Sequence, residues 1–176
     1  MSKPRKRQSV HGVQGWPSAV PDSFHILIDT REQNGWDFSS FKSVTTSRET
    51  VRFGDYCLQM DPTLAAVERK SLADFVMCMG RERKRFTAQV AKLVGAVHRP
   101  LLIVEADYSH MEIGGWRGRM TPPQVLAGLH HFLSEGVPIL LCRSRGEAER
   151  ACFRHLYGAF SSRYKEAREF ARRLQS

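Results

Sequence analysis

The sequence lacks the patterns by which several protein classes are identified. Its four cysteines include no C-x-x-C pair, which argues against a zinc site and a disulfide framework. No apolar run approaches the roughly 20 residues of a membrane-spanning helix, and no apolar signal segment follows the basic N-terminus. Internal repeats and low-complexity tracts are also missing. We therefore expect a protein of the cytoplasm, nucleoid or nucleus that is neither secreted nor bound to a membrane.

Acidic residues are too few to balance the basic ones. The chain of 176 residues has 27 Lys and Arg against 18 Asp and Glu, which gives a net charge of +9. This excess indicates a polyanionic partner, with nucleic acid ahead of an anionic membrane surface. The length suits one domain with a substantial core. We predict a flexible basic arm over residues 1–22, which contacts phosphates or only aids solubility, and a single folded domain over residues 23–176.

Short apolar runs alternate with helical periodicity along this domain. The predicted strands are residues 24–29, 55–60, 64–70, 99–107 and 137–142, and the predicted helices are residues 71–79, 81–97, 121–136 and 146–176. The second and third strands flank a turn at Asp61-Pro62, so we expect antiparallel pairs there. Alternating strands and helices predict an α/β fold, a three-layer α/β/α sandwich with a central mixed sheet.

Charged residues directly follow the apolar start of the strand at 64–70. Glu68 and Lys70 are two residues apart, so a strand directs both side chains to one face. A carboxylate there can hold a divalent metal while the ammonium meets an anion bound to it. Mg²⁺ typically takes one or two carboxylates with substrate phosphate, and Asp55, directly after Gly54, is the second candidate. The alternative is a solvated charged face.

Three charged segments resemble a known family. ILIDTREQ, FGDYCL and VERKSLAD follow one another along the chain, each beside a predicted strand. Together they resemble the nuclease domain of the XPF (excision-repair endonuclease) family, whose signature is E-R-K, three further residues, then D. Glu68-Arg69-Lys70 and Asp74 match it without departure. GRERKRFTAQ and RPLLIVEAD extend the resemblance, which covers about residues 24–160.

This resemblance implies a restriction-endonuclease-like fold of the PD-(D/E)xK class and Mg²⁺- or Mn²⁺-dependent cleavage of DNA phosphodiester bonds. It implies that Asp55 and Glu68 are metal ligands and that Asp29 is a metal ligand or lies beside the metal. Lys70 is implied to position or activate the attacking water. The matched positions with less sharply defined catalytic roles are Glu32, Arg69 and Asp74. We expect Arg69 and Asp74 to orient the site through charge-assisted hydrogen bonds.

Basic residues cluster at the start of the helix predicted over residues 81–97. They are Arg81, Arg83, Lys84 and Arg85. Cations are unfavourable in the first turn of a helix unless an acidic partner is present, so we predict that they contact DNA phosphates. The resemblance favours Arg81 and Arg85. A solvated helix face is the alternative.

The sequence contains no tandem helix-hairpin-helix module and no helicase domain of the kind that accompany this nuclease domain in its family. Selectivity for flaps, forks, nicks or other branched DNA in repair or recombination is therefore an expectation from the resemblance alone. The alternative function is a non-catalytic DNA-binding subunit of a nuclease complex. A generic basic domain that binds RNA or a membrane is a third, and it leaves the ordered acids unexplained.

The resemblance also implies a homodimer assembled through the C-terminal helices. The terminal helix has an apolar stripe with Phe153, Leu156, Phe160 and Phe170. We predict that this stripe, together with the helix over residues 121–136, forms the interface. Phe and Leu at helical spacing are also typical of a core, which is the alternative.

Overall fold

The computed structural model describes residues 24–41 and 44–174. The predicted basic arm lies outside the described residues, so it stays a prediction. The strands are β1 (His25–Asp29), β2 (Thr45–Glu49), β3 (Tyr56–Leu58), β4 (Ala65–Ser71), β5 (Arg99–Glu105) and β6 (Ile139–Leu141). The helices are α1 (Leu72–Met79), α2 (Arg83–Ala96), α3 (Tyr108–Ile113), α4 (Pro122–Ser134) and α5 (Arg145–Arg173).

The strands form one mixed sheet in the order β2-β1-β3-β4-β5-β6. β3 is antiparallel to both β1 and β4, whereas β1–β2, β4–β5 and β5–β6 are parallel pairs. The predicted hairpin is therefore present. Because β3 runs against its neighbours, the residues that precede it lie at the same sheet edge as the carboxyl ends of β1 and β4.

Helices cover both faces of the sheet. α5 packs on one face, where Phe153 and Phe160 bury their rings against residues of β1, β3, β4 and β5. α1, α2 and α4 pack on the other, where Phe75, Phe86 and Phe132 form a second core. This arrangement is the predicted three-layer α/β/α sandwich. No helix in the part of the chain that the structure describes is both long and apolar enough to cross a membrane.

The termini of α4 agree with the sequence prediction. Thr121 is the N-cap residue and forms a capping box with Gln124, and a proline follows at the first helical position. Gly136, two residues beyond the helix, has a φ of +77°, a conformation that glycine adopts without strain.

Two elements were missed by the sequence analysis. β2 is an edge strand of half-buried and exposed residues, so it shows no apolar alternation. α3 has six residues and buries only Met111, which is too short a segment for helical periodicity. Its N-cap, Asp107, is its main local signal.

The predicted dimer interface is wrong for three of its residues. Phe153, Leu156 and Phe160 are at most 2% exposed within a single chain, because the first half of α5 covers the sheet. Their helical spacing therefore marks core. Phe170 lies beyond the sheet and is 65% exposed.

Candidate active site

A polar cleft of about 350 Å³ opens at the sheet edge where β1 and β4 end and β3 begins. Asp55, Glu68 and Lys70 line it, so the structure brings the three principal predicted residues together. The other lining residues are Arg31, Arg52, Phe53, Gly54, Cys78, Arg85, Gln89, Lys92 and Leu93. Five cationic side chains thus surround two carboxylates, an arrangement that favours a polyanionic ligand.

Strand β4 supplies a carboxylate and a cation to the cleft from one face. Glu68 and Lys70 are both directed toward α1 and α2, as their spacing predicts. The Lys70 ammonium contacts Glu68 Oε1, which also accepts a hydrogen bond of 2.7 Å from Gln89 Nε2 on α2. One oxygen of Glu68 is therefore held by two donors.

Asp55 is held in place by a close approach of two backbones. Gly54 has a φ of +69°, and a Cβ atom there would lie 2.7 Å from the carbonyl oxygen of Val67. Only glycine suits this contact, which lets Asp55 N donate to the same carbonyl at 2.7 Å. Arg69 N in turn donates to Asp55 Oδ2 at 2.7 Å. The backbone contact therefore explains why glycine precedes Asp55.

The two carboxylates of the cleft are close enough for their charges to interact. Burial, and then the neighbouring Glu68, raise the pKa of Asp55 to about 7. Glu68 Oε2 is buried and has no hydrogen-bond partner among the described residues. Burial alone would lower the pKa of Lys70, but Glu68 and Asp55 outweigh it and hold this pKa above its ordinary value. Lys70 is therefore an ammonium ion at neutral pH.

These features suit a divalent cation. A buried carboxylate oxygen without a donor is rare and calls for an unseen partner, and a second carboxylate with a raised pKa calls for a positive charge. In the described residues, no group of three or more His, Cys, Asp or Glu side chains could hold a metal ion. A cation here would therefore take Asp55 and Glu68 and complete its shell with water and phosphate oxygens, as Mg²⁺ commonly does.

Arg69 occupies the opposite face of β4, away from the cleft. Its side chain is 8% exposed and donates from Nε and Nη2 to the two oxygens of Glu105, both at 2.9 Å. Glu32 lies 3.3 Å from Arg69 Nη1, and the Trp36 ring packs against the guanidinium and donates from Nε1 to Glu105. Arg69 and Glu32 thus join the loop after β1 to the ends of β4 and β5.

Asp74 is the third residue of α1 and does not line the cleft. Ser71, the N-cap residue, accepts a hydrogen bond from Asp74 N and donates one of 2.7 Å to its carboxylate. The pair therefore fixes the start of the helix that follows Lys70. The catalytic roles of Glu32, Arg69 and Asp74 stay predictions, with contacts that suit orientation of the site.

Asp29 is buried beside the cleft and is occupied by other partners. Its backbone N donates to the carbonyl of Asp55 at 2.8 Å, which places the two residues across from each other. Its carboxylate accepts hydrogen bonds from Arg31 and from Val51 N. Arg31 holds the pKa of Asp29 below its usual value. Metal ligation by Asp29 stays a prediction.

The basic helix start is divided between two cavities. Arg85 lines the cleft and also pairs with Glu82, whereas Arg81 lines a separate cavity with Met77 and Met120. Arg83 and Lys84 are exposed and line neither of these two cavities. DNA contact by all of them stays a prediction, and the position of Arg85 favours it most directly.

Sequence reasoning missed several residues of the site. Arg31, Arg52 and Lys92 line the cleft from three segments that are distant in sequence. Gln89 was noted only as part of the resemblance, although its spacing of three from Phe86 indicates the same helix face. Glu105 is the acid at the end of a buried strand, and its pairing with Arg69 required knowledge of the parallel β4–β5 register.

Known proteins share the sequence pattern and the fold of this chain. A family model for the ERCC4 domain matches residues 28–150. The chain belongs to the ERCC4 domain family. The predicted resemblance to XPF-type nuclease domains is thereby confirmed. Sequence comparison with curated proteins gives no significant match.

Solved structures support the same fold for this ERCC4-family chain. XPF from Aeropyrum pernix superimposes with a TM-score of 0.60 at 19% identity, over 75% of this chain and 59% of that chain. XPF from Aeropyrum pernix in complex with DNA gives a TM-score of 0.59 at 17% identity, over 79% of this chain and 66% of that chain. The chain therefore spans about three fifths to two thirds of these proteins. The predicted fold is confirmed.

Proposed function

We propose that this ERCC4-family chain is a divalent-metal-dependent DNA endonuclease that hydrolyses phosphodiester bonds. The observation that supports it most is the unsatisfied Glu68 Oε2 beside Asp55 in a cleft lined by cations. Family membership supports the same activity, and one of the similar XPF structures contains DNA. The two XPF chains extend beyond the part that this chain matches, so their activity is proposed for this chain.

Asp55 and Glu68 would hold Mg²⁺, with Mn²⁺ as a substitute. When bound, the metal supplies a lower pKa for the attacking water and neutralises phosphate charge. The DNA strand would lie along the cationic walls of the cleft, which include Arg52, Arg85 and Lys92. Water adds to phosphorus, the bond from phosphorus to the leaving oxygen breaks, and that oxygen leaves with a proton.

Lys70 contributes positive charge and not a base to this reaction. Its raised pKa keeps it protonated, so it can donate a hydrogen bond to the phosphate or to the attacking water but cannot accept a proton. Its contact with Glu68 orients both side chains. Removal of the lysine charge should therefore slow cleavage without removing the metal ligands.

Selectivity for flaps, forks or other branched duplexes, in repair or recombination, is part of the proposal and rests on family membership. The test is a nicking assay on matched linear, flap and fork DNA with Mg²⁺, Mn²⁺ or EDTA, with Asp55→Asn as the inactive control. We expect metal-dependent cleavage that is faster on branched DNA. Tight DNA binding without cleavage in any metal would instead favour a non-catalytic subunit.

The end of α5 supports a homodimer. Its 29 residues make a helix of about 44 Å at 1.5 Å per residue, longer than the sheet it covers. Among the residues of α5 whose burial is described, Phe160 is the last buried one, whereas Phe170 is 65% exposed and Leu174, just beyond the helix, is 72% exposed. We propose that a second copy covers this end. Light scattering should show a wild-type dimer and a Phe170→Ser/Leu174→Ser monomer that stays folded, and a monomeric wild type would refute the dimer.

A further inference from the structure

Asp29 uses its whole carboxylate to hold one side chain and one loop. Oδ1 accepts hydrogen bonds from Arg31 N at 2.7 Å and from Arg31 Nε at 2.8 Å. Oδ2 accepts from Arg31 Nη2 at 2.8 Å and from Val51 N at 2.9 Å. A carboxylate offers about four lone-pair positions, so no acceptor position of Asp29 is left for a metal.

Arg31 is held firmly although it lies at the surface. Its side chain is 71% exposed, and yet its Nε and Nη2 grip Asp29 side-on while Nη2 also reaches the Val51 carbonyl at 3.0 Å. The described residues accept no hydrogen bond from its Nη1, which therefore remains available to a ligand in the cleft.

The Arg31 guanidinium lies in the same cleft as the proposed metal ligands but forms no ion pair with them among the described residues. Arg31 lines the same cleft as Asp55 and Glu68, and both carboxylates help to raise its pKa. Within the described part of the chain it forms an ion pair with Asp29 alone. Its charge is thus placed near the metal ligands while its free donors face solvent.

We propose that Arg31 is a catalytic residue that contacts the phosphate to be cleaved, and that Asp29 is its positioning residue and not a metal ligand. This inference rests on the proposed function and deepens it. Arg31 Nη1 donates to a non-bridging phosphate oxygen, on the β1 side of the cleft. Lys70 provides the second cation from β4.

The hydrogen bonds to Asp29 lower the entropy that Arg31 loses on binding a phosphate, in comparison with an unrestrained surface arginine. A free arginine loses much rotamer entropy when it orders on a ligand, whereas Arg31 is already ordered by its contacts with Asp29. Charge that is fixed before the reaction stabilises a transition state more than charge that must reorganise. Such a role explains why Asp29 holds Arg31 in place beside the cleft.

Measured metal affinity distinguishes positioning of Arg31 by Asp29 from metal ligation by Asp29. Calorimetric Mn²⁺ titrations of the whole chain would compare wild type, Asp29→Asn and Glu68→Gln, each checked for its melting temperature. We expect Asp29→Asn to keep the wild-type Mn²⁺ affinity, while Glu68→Gln weakens it by more than about tenfold. A folded Asp29→Asn that loses Mn²⁺ affinity as Glu68→Gln does would overturn the positioning role and establish metal ligation.

Single-turnover cleavage tests the catalytic role of Arg31. We expect Arg31→Ala to lower the rate by about 100- to 1000-fold, and Arg31→Lys to recover only part, because lysine lacks the planar fork. Asp29→Asn should cost little more in the Arg31→Ala background, since one acts through the other. Arg99→Ala, an exposed arginine at the opposite sheet edge, is the matched control and should cleave normally. Wild-type cleavage by Arg31→Ala would overturn the proposal.

A binding measurement keeps this inference distinct from the proposed function. In Ca²⁺, which shares the oxygen preference of Mg²⁺, the salt dependence of nicked-duplex binding is compared for wild type, Arg31→Ala and Arg99→Ala. We expect Arg31→Ala to flatten the log-log slope by about 0.9, the value for one phosphate contact. An unchanged slope refutes the phosphate contact. Failure of the wild type to cleave in any metal refutes the proposed function, while the slope and the Mn²⁺ affinities still decide the roles of Arg31 and Asp29.

Discussion

The two faces of β4 differ sharply although their residues are neighbours in sequence. On the cleft face, one buried oxygen of Glu68 has no partner in the described part of the chain, and Asp55 nearby has a pKa raised to about 7. On the α5 face, Arg69 is buried and paired with Glu105 through two hydrogen bonds of 2.9 Å and with Glu32 at 3.3 Å. One face is incomplete without a ligand, and the other is complete.

This difference separates binding residues from supporting ones in a way that the E-R-K motif cannot. A buried polar group without a partner costs free energy, so its persistence indicates a ligand that supplies the missing contact. A buried ion pair with all its hydrogen bonds made fixes geometry instead. We infer that Glu68 and Lys70 act on the ligand, whereas Arg69 holds the β4 end and presents its backbone N–H to Asp55.

The largest expected effect is loss of cleavage from a change on the cleft face. Glu68→Gln keeps the shape but removes the charge of a proposed metal ligand, so single-turnover cleavage should fall by at least about 1000-fold, equivalent to several kcal/mol of lost transition-state stabilisation. DNA binding and the melting temperature should stay near wild type, because repulsion with Asp55 is relieved. Undiminished cleavage would remove Glu68 from the site.

The next effect is loss of stability from a change on the α5 face. Arg69→Ala removes the principal cation of Glu105 and Glu32, which are each 12% exposed. It should cost about 3 kcal/mol of unfolding free energy, because Arg145 stays 3.7 Å from Glu105. Urea denaturation measures it, with Arg99→Ala, an exposed arginine at the start of β5, as the control. An Arg69→Ala protein as stable as wild type would show that this network is not structural.

A smaller effect is a pH dependence confined to the cleft face. The pKa of Asp55 is about 7 in the folded protein, raised by burial and by Glu68, against an ordinary value near 4 when unfolded. A carboxyl group with a raised folded pKa stabilises the fold below its unfolded pKa, and this contribution is lost as the pH rises through about 7.

In EDTA, the melting temperature of wild type should therefore fall between about pH 5 and about pH 8. Asp55→Asn removes the titration and should give a flatter profile, and added Mn²⁺ should restore wild-type stability at the higher pH. Parallel profiles for the two proteins would contradict the raised pKa.

The smallest effect concerns the cationic wall. Arg85→Ala should weaken binding to all DNA sequences alike and flatten the log-log salt slope by about 0.9, because one phosphate contact is lost. Arg99→Ala, at the opposite edge of the sheet, should leave the slope unchanged. Equal slopes for wild type and Arg85→Ala would return Arg85 to the solvated helix face.

The sequence predicted those parts of the molecule that local periodicity determines. β1, β3, β5 and β6 lie within the predicted strand ranges, and β4 extends one residue beyond its range, to Ser71. The apolar runs of β1, β3 and β4 are buried, whereas the residues of β6 are half-buried or exposed. The common face of Glu68 and Lys70 also followed from their spacing, whereas Asp55 was predicted as the acid directly after Gly54. The edge strand β2 and the short helix α3 bury too little to leave such a pattern.

Long-range contacts could not be predicted in this way. Glu105 meets Arg69 because β4 and β5 pair in parallel, and Val51 N reaches the Asp29 carboxylate from 22 residues away. The first half of α5 proved to be core because its apolar stripe faces a sheet whose extent the sequence does not give. These contacts decide which charged residues support the site and which face its ligand.

One matched pair of substitutions tests the contrast between the faces most directly. Glu68→Gln and Glu105→Gln make the same chemical change at two glutamates, one on each face, that are 1% and 12% exposed. Calorimetric Mn²⁺ titration should show lost binding and an unchanged melting temperature for Glu68→Gln, and wild-type binding with a lower melting temperature for Glu105→Gln. Wild-type Mn²⁺ binding by Glu68→Gln would contradict the assignment of the cleft as the metal and catalytic site.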